Sequence, residues 1–333
     1  CLEFRRVLFR STGAGAYTAS SFGGPAPVAF LGRFADTGSS IRPWCIFSDS
    51  IGDGSGDVDV ASQALSGLGW VIRGWNHRLP YFQASKGGND VKYFVGQYVR
   101  EWAKRAELAS KCDGAFVHIG TNGLAAGDSA ETVIANLKEF FGMLRAMGYL
   151  KINTATILPR STSTDGWRTV ANQTPATGGP GGALNNFQAR VNTVNDWLLS
   201  AASLVDWCVD LRSTMESSPG SGKWKEGTDV MNVTTAGVPT TVAIPVTQTL
   251  TLNQLQGLSI SFGGVTRVIT SNTAGSGGTA VLTVVAFGSA PAAGVTSMVF
   301  RPPTVDGIHM SAFGNLDAAA KMDADFAKFL IEQ

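Results

Sequence analysis

Trp44-Cys45-Ile46-Phe47-Ser48-Asp49-Ser50-Ile51 is the stretch from which the rest of the chain is read. Four apolar residues run straight into a polar turn, the pattern of a short buried strand with a loop at its carboxyl end. A strand that is apolar at every position has no solvent face, as in a parallel sheet covered on both sides. Sheets of that kind bind ligands beyond the carboxyl ends of their strands. Ser50 falls there.

Outward from this stretch, strand-like and helix-like segments alternate to about Ser213. Ala61 to Leu79 has helical apolar spacing (Leu65, Leu68, Val71, Ile72, Trp75), and Tyr81 to Ala84 is a second short strand. Val91 to Leu108 reads as a helix with Phe94, Val95, Tyr98, Val99 and Trp102 on one stripe. Gly114 to Ile119 is a third strand, apolar except for His118, and Ser129 to Met147 is an amphipathic helix with Glu131 in its first turn. Ile152 to Leu158, Leu184 to Ala202 and Val205 to Leu211 follow as strand, helix and strand, and Gly314 to Leu330 closes as a helix. Right-handed crossovers turn this order into a doubly wound α/β layer. Ser50, Gly88 and Asn122 each follow an expected strand, so all three fall on one rim.

Two regions break the pattern. Ser161 to Gly182, rich in Thr, Gly and Pro, reads as a long loop on that rim. Residues 226–303 are rich in Thr, Val, Gly and Ala and nearly free of charge, with alternating runs at Leu258–Phe262 and Val265–Ile269 around a Gly263-Gly264 hairpin signal. The expected organisation is an N-terminal extension (1–43), a catalytic unit (44–225 and 304–333) and an all-β insertion (226–303).

Four clusters carry the chemistry: Phe47-Ser48-Asp49-Ser50-Ile51, Lys86-Gly87-Gly88-Asn89, Ile119-Gly120-Thr121-Asn122 and Asp306-Gly307-Ile308-His309. Ester hydrolysis needs a nucleophile, a proton acceptor for it and donors for the developing oxyanion. Ser50 is the candidate nucleophile and His309 the candidate base. Asp306, three residues earlier, is close enough in sequence to orient the ring and stabilise its cation. The N–H groups of Ser50 and Gly88 and the amide of Asn122 are the candidate oxyanion donors.

These clusters resemble those of the SGNH hydrolases, also called GDSL-type esterases and lipases, over roughly Trp44 to Ser213 and from Val305 to the C-terminus. The resemblance implies a flavodoxin-like three-layer α/β/α fold with a central parallel sheet, and metal-independent hydrolysis of esters or thioesters without a cofactor. It maps the family's serine to Ser50, its glycine to Gly88, its asparagine to Asn122 and its Asp-x-x-His to Asp306 and His309. Three positions depart from the pattern. Ser48 stands where a glycine is usual, Gly123 where an acid often follows the asparagine, and the second cluster lacks its leading asparagine, leaving Gly87 and Gly88 both open.

Composition narrows the alternatives. With 26 basic and 25 acidic residues and a net charge of +1, the chain shows no basic block, so nucleic acid is not an expected partner, and no apolar run is long enough to span a bilayer. Cys45, Cys112 and Cys208 share no paired spacing and read as small core residues, with Cys1 apart. The chain does not open on Met, and Leu2 to Ser11 (LEFRRVLFRS) reads as the translation of a sequencing adaptor carried over from environmental DNA. An incomplete or processed N-terminus is therefore expected, and those residues are set aside from fold reasoning.

Each cluster also has a structural reading: Ser50 and Asn122 as turn residues, Gly88 as a positive-φ glycine, Asp306 and His309 as a helix-start acid and a surface imidazole. His118 reads as a core histidine and His77 as a solvated one. Asp53 to Asp59 faintly resembles a calcium loop without its glycine and final Glu, and Gly220-Ser221-Gly222-Lys223 is too short for a phosphate loop. Trp167 and Trp224 read as stacking on a sugar ring, as lining an acyl pocket or as loop anchors. The expected activity is a serine esterase acting on small-molecule or glycan acyl esters, with a carbohydrate O-acetyl ester favoured. A short-chain esterase, thioesterase or lipase, or a non-catalytic extracellular or virion binding protein, are the alternatives. A secreted or extracellular setting is expected.

Overall fold

The computed structural model describes residues 42–57, 69–76, 78–96, 109–177, 186–201, 204–232, 240–246, 252–253, 255–256, 258–262, 265–275, 278–290, 292 and 296–331. Strands β1 (Trp44–Ser48), β2 (Tyr81–Gln83), β3 (Gly114–His118), β4 (Lys151–Ala155) and β7 (Trp207–Val209) form one parallel sheet in the order β2-β1-β3-β4-β7. β1 and β3 are buried at all five positions, as two covered faces require. Their side chains divide with period two. Cys45, Phe47, Ala115 and Val117 enter the core beneath helices α3 (Ala130–Ala146) and α4 (Phe187–Ser200), while Trp44, Ile46 and Phe116 enter the core beneath α1 (Gly69–Trp75) and α6 (Ala312–Ala324), to which the short α5 (Arg212–Met215) adds Met215. The result is a three-layer α/β/α sandwich, the fold that the resemblance implied.

Local chemistry sets the element boundaries. Ser129 caps α3 by accepting a hydrogen bond from Thr132 N at 3.2 Å. The segment that follows Asn89 departs from the expected long helix. It makes a single 3₁₀ turn at Val91–Phe94 that ends on an extended Val95, and residues 97–108 lie outside the described ones, as does His77. Asp90 caps that turn through Lys92 N, and Phe94 packs on Phe47 and Phe140. The turn buries Val91, Phe94 and Val95, while Tyr98, Val99 and Trp102 of the expected stripe lie outside the described residues. The C-terminal helix likewise ends early, giving way to a 3₁₀ turn at Phe326–Phe329.

Residues 161–175 are not a plain loop. β5 (Ser161–Ser163) and β6 (Gln173–Pro175) pair antiparallel. Between them the Asp165 carboxylate accepts from Ser163 Oγ, Thr169 N, Thr169 Oγ1, Arg168 N and Asn172 Nδ2. A polar, Gly-containing stretch with one acid at its centre therefore closes as a compact hairpin.

The all-β insertion contains β8 (Thr228–Asn232), β9 (Thr241–Val246), β10 (Ser259–Phe262), β11 (Val265–Asn272), β12 (Gly278–Val284) and β13 (Thr296–Phe300), an antiparallel sheet in the order β8-β13-β10-β11-β12-β9. Phe262 pairs with Val265, the register a tight hairpin between those runs demands, although Gly263 and Gly264 themselves lie outside the described residues. The sheet has its own core around Val242, Ile244, Ile260, Ile269 and Leu282, against which Phe313 of α6 packs. Among the described residues no helix is long and apolar enough to cross a membrane.

Candidate active site

β1 delivers Ser50 to the rim. Past the strand the chain turns at once, with Asp53 N bonded to Asp49 O and Ser55 N to Ser50 O, both within 3.0 Å. Ser48, in place of the usual glycine, is accommodated rather than strained. Its Oγ donates to His118 O at 2.6 Å, and the space it fills is left open by Gly52, where a Cβ would overlap that hydroxyl.

From the other end of the chain, the segment before α6 brings His309 to the same point. His309 Nε2 lies 2.9 Å from Ser50 Oγ, and His309 Nδ1 lies 2.7 Å from Asp306 Oδ2. A carboxylate can only accept, so Nδ1 carries the proton and Nε2 presents a lone pair to the serine hydroxyl. Asp306 Oδ1 accepts from Ile308 N and His309 N, at 2.9 and 2.7 Å. Partial burial pushes this carboxyl up, but the bonds from the His309 ring and from the two backbone N–H groups outweigh it and leave the pKa below the ordinary value. Asp306 is thus an anion in neutral solution, as the orientation of the ring requires.

The turn that carries this pair is locked from outside. Thr304 Oγ1 donates to His309 O at 2.6 Å and accepts from Gly307 N at 2.9 Å. Gly307 O accepts from Ser161 N and from the indole of Trp224, at 3.1 and 3.0 Å. Gly307 has φ +83°, and a Cβ there would overlap the Ser161 carbonyl oxygen and lie 2.7 Å from the Trp167 ring. Only glycine meets both conditions. Trp167 donates from its indole to Ser161 Oγ, and Trp224 is fully buried and tied to Gln173 through N and O. Both tryptophans are loop anchors under the Asp306–His309 turn, which removes the stacking reading for Trp224.

The second cluster borders Ser50, and the third is bonded to the second. A Cβ on Gly87 would sit 3.9 Å from Ser50 Cβ, and Gly88 adopts φ +77°. Among the described residues, the N–H groups of Ser50 and Gly88 have no hydrogen-bond partner. Asn122 sits in the first turn of α2 (Thr121–Ala126), a short helix that the spacing did not suggest. Its Nδ2 donates to Asn89 O at 2.9 Å, and Asn89 Nδ2 donates to Ser48 O at 3.0 Å, so the three clusters are cross-linked.

Arg160 ties the third cluster to the segment after β4 and was missed by the sequence reading. It donates from Nε to Thr121 Oγ1 at 2.8 Å and from Nη2 to Asn122 Oδ1 at 3.1 Å, with its guanidinium over the Phe187 ring. Burial lowers its pKa, while Asp49 and Asp306 pull it back up. The available signal was its place: Leu158-Pro159-Arg160 follows β4 on the same rim. Asp49, buried and bonded to Ile51 N at 2.9 Å, is pushed by burial up to about 7, against the pull of Ile51 N, Arg160 and His309.

The remaining candidates take structural places. His118 is buried edge-on to Trp70, and burial lowers its pKa to about 4, so it stays neutral. In the acidic stretch after Ser50, Asp57 is held by Arg73 in a buried two-point ion pair at 2.8 and 2.7 Å. Among the described residues no group of three or more His, Cys, Asp or Glu side chains could hold a metal ion.

The sequence model of the GDSL-like lipase/acylhydrolase family matches residues 49–237, more than half of the chain. The match opens on Asp49 and Ser50 and ends before Asp306 and His309. No curated protein matches the chain. Among solved structures, a protein of Agrobacterium tumefaciens str. C58 assigned as an arylesterase is 12% identical, covers 87% of this chain and 100% of its own, and has a TM-score of 0.44. The psychrotrophic esterase EstA from Pseudoalteromonas sp. is 10% identical over 50% of this chain and 76% of its own, with a TM-score of 0.33. AlinE4, an SGNH-hydrolase family esterase, is 17% identical over 51% of this chain and 75% of its own, also at 0.33. All three scores lie below 0.5, so membership rests on the family model and on the central parallel sheet that goes with it. The chain belongs to the GDSL-like lipase/acylhydrolase family and is an SGNH-type ester hydrolase.

Proposed function

We propose that Ser50, His309 and Asp306 form the catalytic triad and that the reaction passes through an acyl-enzyme. The observation that carries this reading is the continuous Ser50 Oγ–His309 Nε2–Asp306 line, at 2.9 and 2.7 Å. Ser50 Oγ attacks the ester carbonyl as His309 Nε2 takes its proton. Asp306 holds the ring in the required tautomer and stabilises the imidazolium. The oxyanion is met by the N–H groups of Ser50 and Gly88 and by the Asn122 amide. Collapse expels the alcohol, protonated by His309, and water then repeats the sequence on the acyl-Ser50. Removing one such donor typically costs about 10²–10³ in turnover.

The acyl group we propose is short, acetyl first, supported by the small and polar residues that border Ser50: His309 at 2.9 Å, and Gly87, where an added Cβ would lie 3.9 Å from Ser50 Cβ. A saccharide as the alcohol is the favoured version, supported by the polar rim hairpin; the buried Trp224 lends it nothing. The catalytic unit is proposed to comprise 44–225 and 304–333 around the 226–303 insertion, since the second sheet draws only on 228–300.

Fluorophosphonate labelling of Ser50 and turnover of p-nitrophenyl acetate, butyrate and octanoate test the reading. Ser50→Ala is expected to abolish labelling and turnover, and the wild-type kcat/KM is expected to fall as the acyl chain lengthens. Turnover that survives Ser50→Ala refutes the triad. Acetate release from acetylated xylan tests the saccharide version, and its absence from every glycan sinks that version alone.

A further inference from the structure

A side-chain amide has two ends of nearly equal shape, and only one of them can serve an oxyanion. The orientation of Asn122 is settled by its two neighbours. Arg160 has donors and no acceptor, and it meets Oδ1 at 3.1 Å. Asn89 O can only accept, and it meets Nδ2 at 2.9 Å. The flipped amide would set a carbonyl oxygen against Asn89 O and an NH₂ against the guanidinium, losing both bonds. One hydrogen on Nδ2 is spent on Asn89, and the second is left for a substrate oxygen.

We infer that Arg160 is a positioning residue that acts on the substrate through Asn122, fixing which end of the amide faces the developing oxyanion. This rests on the roles proposed above for Ser50 and Asn122. The guanidinium is itself fixed at two further points, by Thr121 Oγ1 at 2.8 Å and by the Phe187 ring, 5.6 Å from its centre. The Arg160 carbonyl is held in turn by Ala176 N at 2.8 Å, which ties the residue to the rim hairpin. A cation on the carbonyl end of an amide also polarises its N–H bonds, so the same contact strengthens the donor as well as aiming it. A point charge on a flexible stem cannot reproduce the two-pronged geometry, so lysine is an incomplete substitute.

The test is a double-mutant cycle on kcat with p-nitrophenyl acetate, using Arg160→Met, Asn122→Ala and the pair. Asn122→Ala is expected to lower kcat about 10²–10³-fold, and Arg160→Met about 10-fold or more, with KM little changed in each. In the Asn122→Ala background, Arg160→Met should add almost nothing, because the group through which it acts is gone. Arg160→Lys should recover part of the loss. Effects that multiply in full, or an Arg160→Met enzyme with wild-type kcat, overturn the inference. If Arg160→Met does not fold, Thr121→Val removes only the Nε acceptor and enters the same cycle. Its smaller loss must also vanish in the Asn122→Ala background, and persistence of that loss overturns the inference. Ser50→Ala separates the two levels: turnover surviving it fells the triad, whereas a dead Ser50→Ala enzyme with a multiplicative cycle fells only the role of Arg160.

Discussion

Gly307→Ala is the sharpest probe of how His309, the proposed base, is held. The residue sits at φ +83° with its carbonyl bound by Ser161 N and the Trp224 indole. Alanine in the left-handed region costs roughly 1–2 kcal/mol. The added methyl also overlaps a backbone oxygen, Ser161 O, which cannot swing aside as a side-chain end could. Overpacking of that kind costs about 1–3 kcal/mol, so a loss of about 2–5 kcal/mol of stability is expected if the turn stays in place. The alternative is that the turn moves outward, taking Asp306 and His309 with it. A displacement on the order of 1 Å at a reacting group costs about 10²-fold in rate. Either outcome is visible: urea denaturation reads the stability, and kcat with p-nitrophenyl acetate and the rate of fluorophosphonate labelling read the placement of His309. Wild-type kcat together with an unchanged urea midpoint would refute the packing of Gly307 against Ser161 and the argument that the hairpin positions the base.

Three further outcomes follow from other contacts. Asp306→Asn keeps an acceptor for Ile308 N and His309 N but loses the charge facing Nδ1. Turnover should drop about 10³–10⁴-fold with a thermal midpoint close to wild type, and a loss under tenfold would contradict the assigned role. Burial raises the Glu216 carboxyl from its ordinary 4.5 to about 7, against the pull of Gly220 N, Gly222 N and Arg212. The native state then keeps a proton that the unfolded chain releases, so stability falls as pH rises from about 4.5 through about 7. Glu216→Gln removes that slope, gaining on the order of 3 kcal/mol relative to wild type between pH 4 and 8, with Asp49 supplying a residual slope of the same sign; urea midpoints that run parallel for both proteins would count against it. Gly52→Ala should destabilise by overlapping Ser48 Oγ, and most of that cost should disappear in a Ser48→Gly background; a cost unchanged by the second substitution would mean that the two sites do not touch.

The sequence was most legible where chemistry and position coincide. A fully apolar Trp44–Phe47 run forces a covered parallel strand, and the rim rule then collects Ser50, Gly88 and Asn122 before any contact is known. Asp306 and His309 were reached from residue type, spacing and the resemblance to the SGNH hydrolases, and 259 positions separate the hydroxyl from the imidazole that meets it. What escaped was set by partners distant in sequence. Nothing local to Val91–Phe94 says that Phe47 and Phe140 will bury these residues as one turn instead of a helix. Trp224 stands among polar loop residues, and only the folded chain supplies Gly307 O and Gln173 to bury it. Asp165 closes its hairpin with donors up to seven residues away, a pattern without apolar periodicity to announce it. Arg160 was overlooked because a single arginine past a strand carries no spacing signal; its meaning lies in two acceptors about forty residues upstream, Thr121 and Asn122.

One backbone contact bears on how such a molecule can change over time. Arg301 N is bonded to Gly227 O, and β8 and β13, which they flank, are paired neighbours. The chain therefore enters and leaves the second sheet at almost the same point, about one interstrand spacing apart (~4.8 Å). On the proposed division, a module joined through adjacent ends can be shortened, swapped or removed with a brief splice, because the entropy cost of closing a loop grows slowly with its length, by about 0.6 kcal/mol per doubling. Its surface is then free to diversify while the hydrolytic layer keeps its geometry.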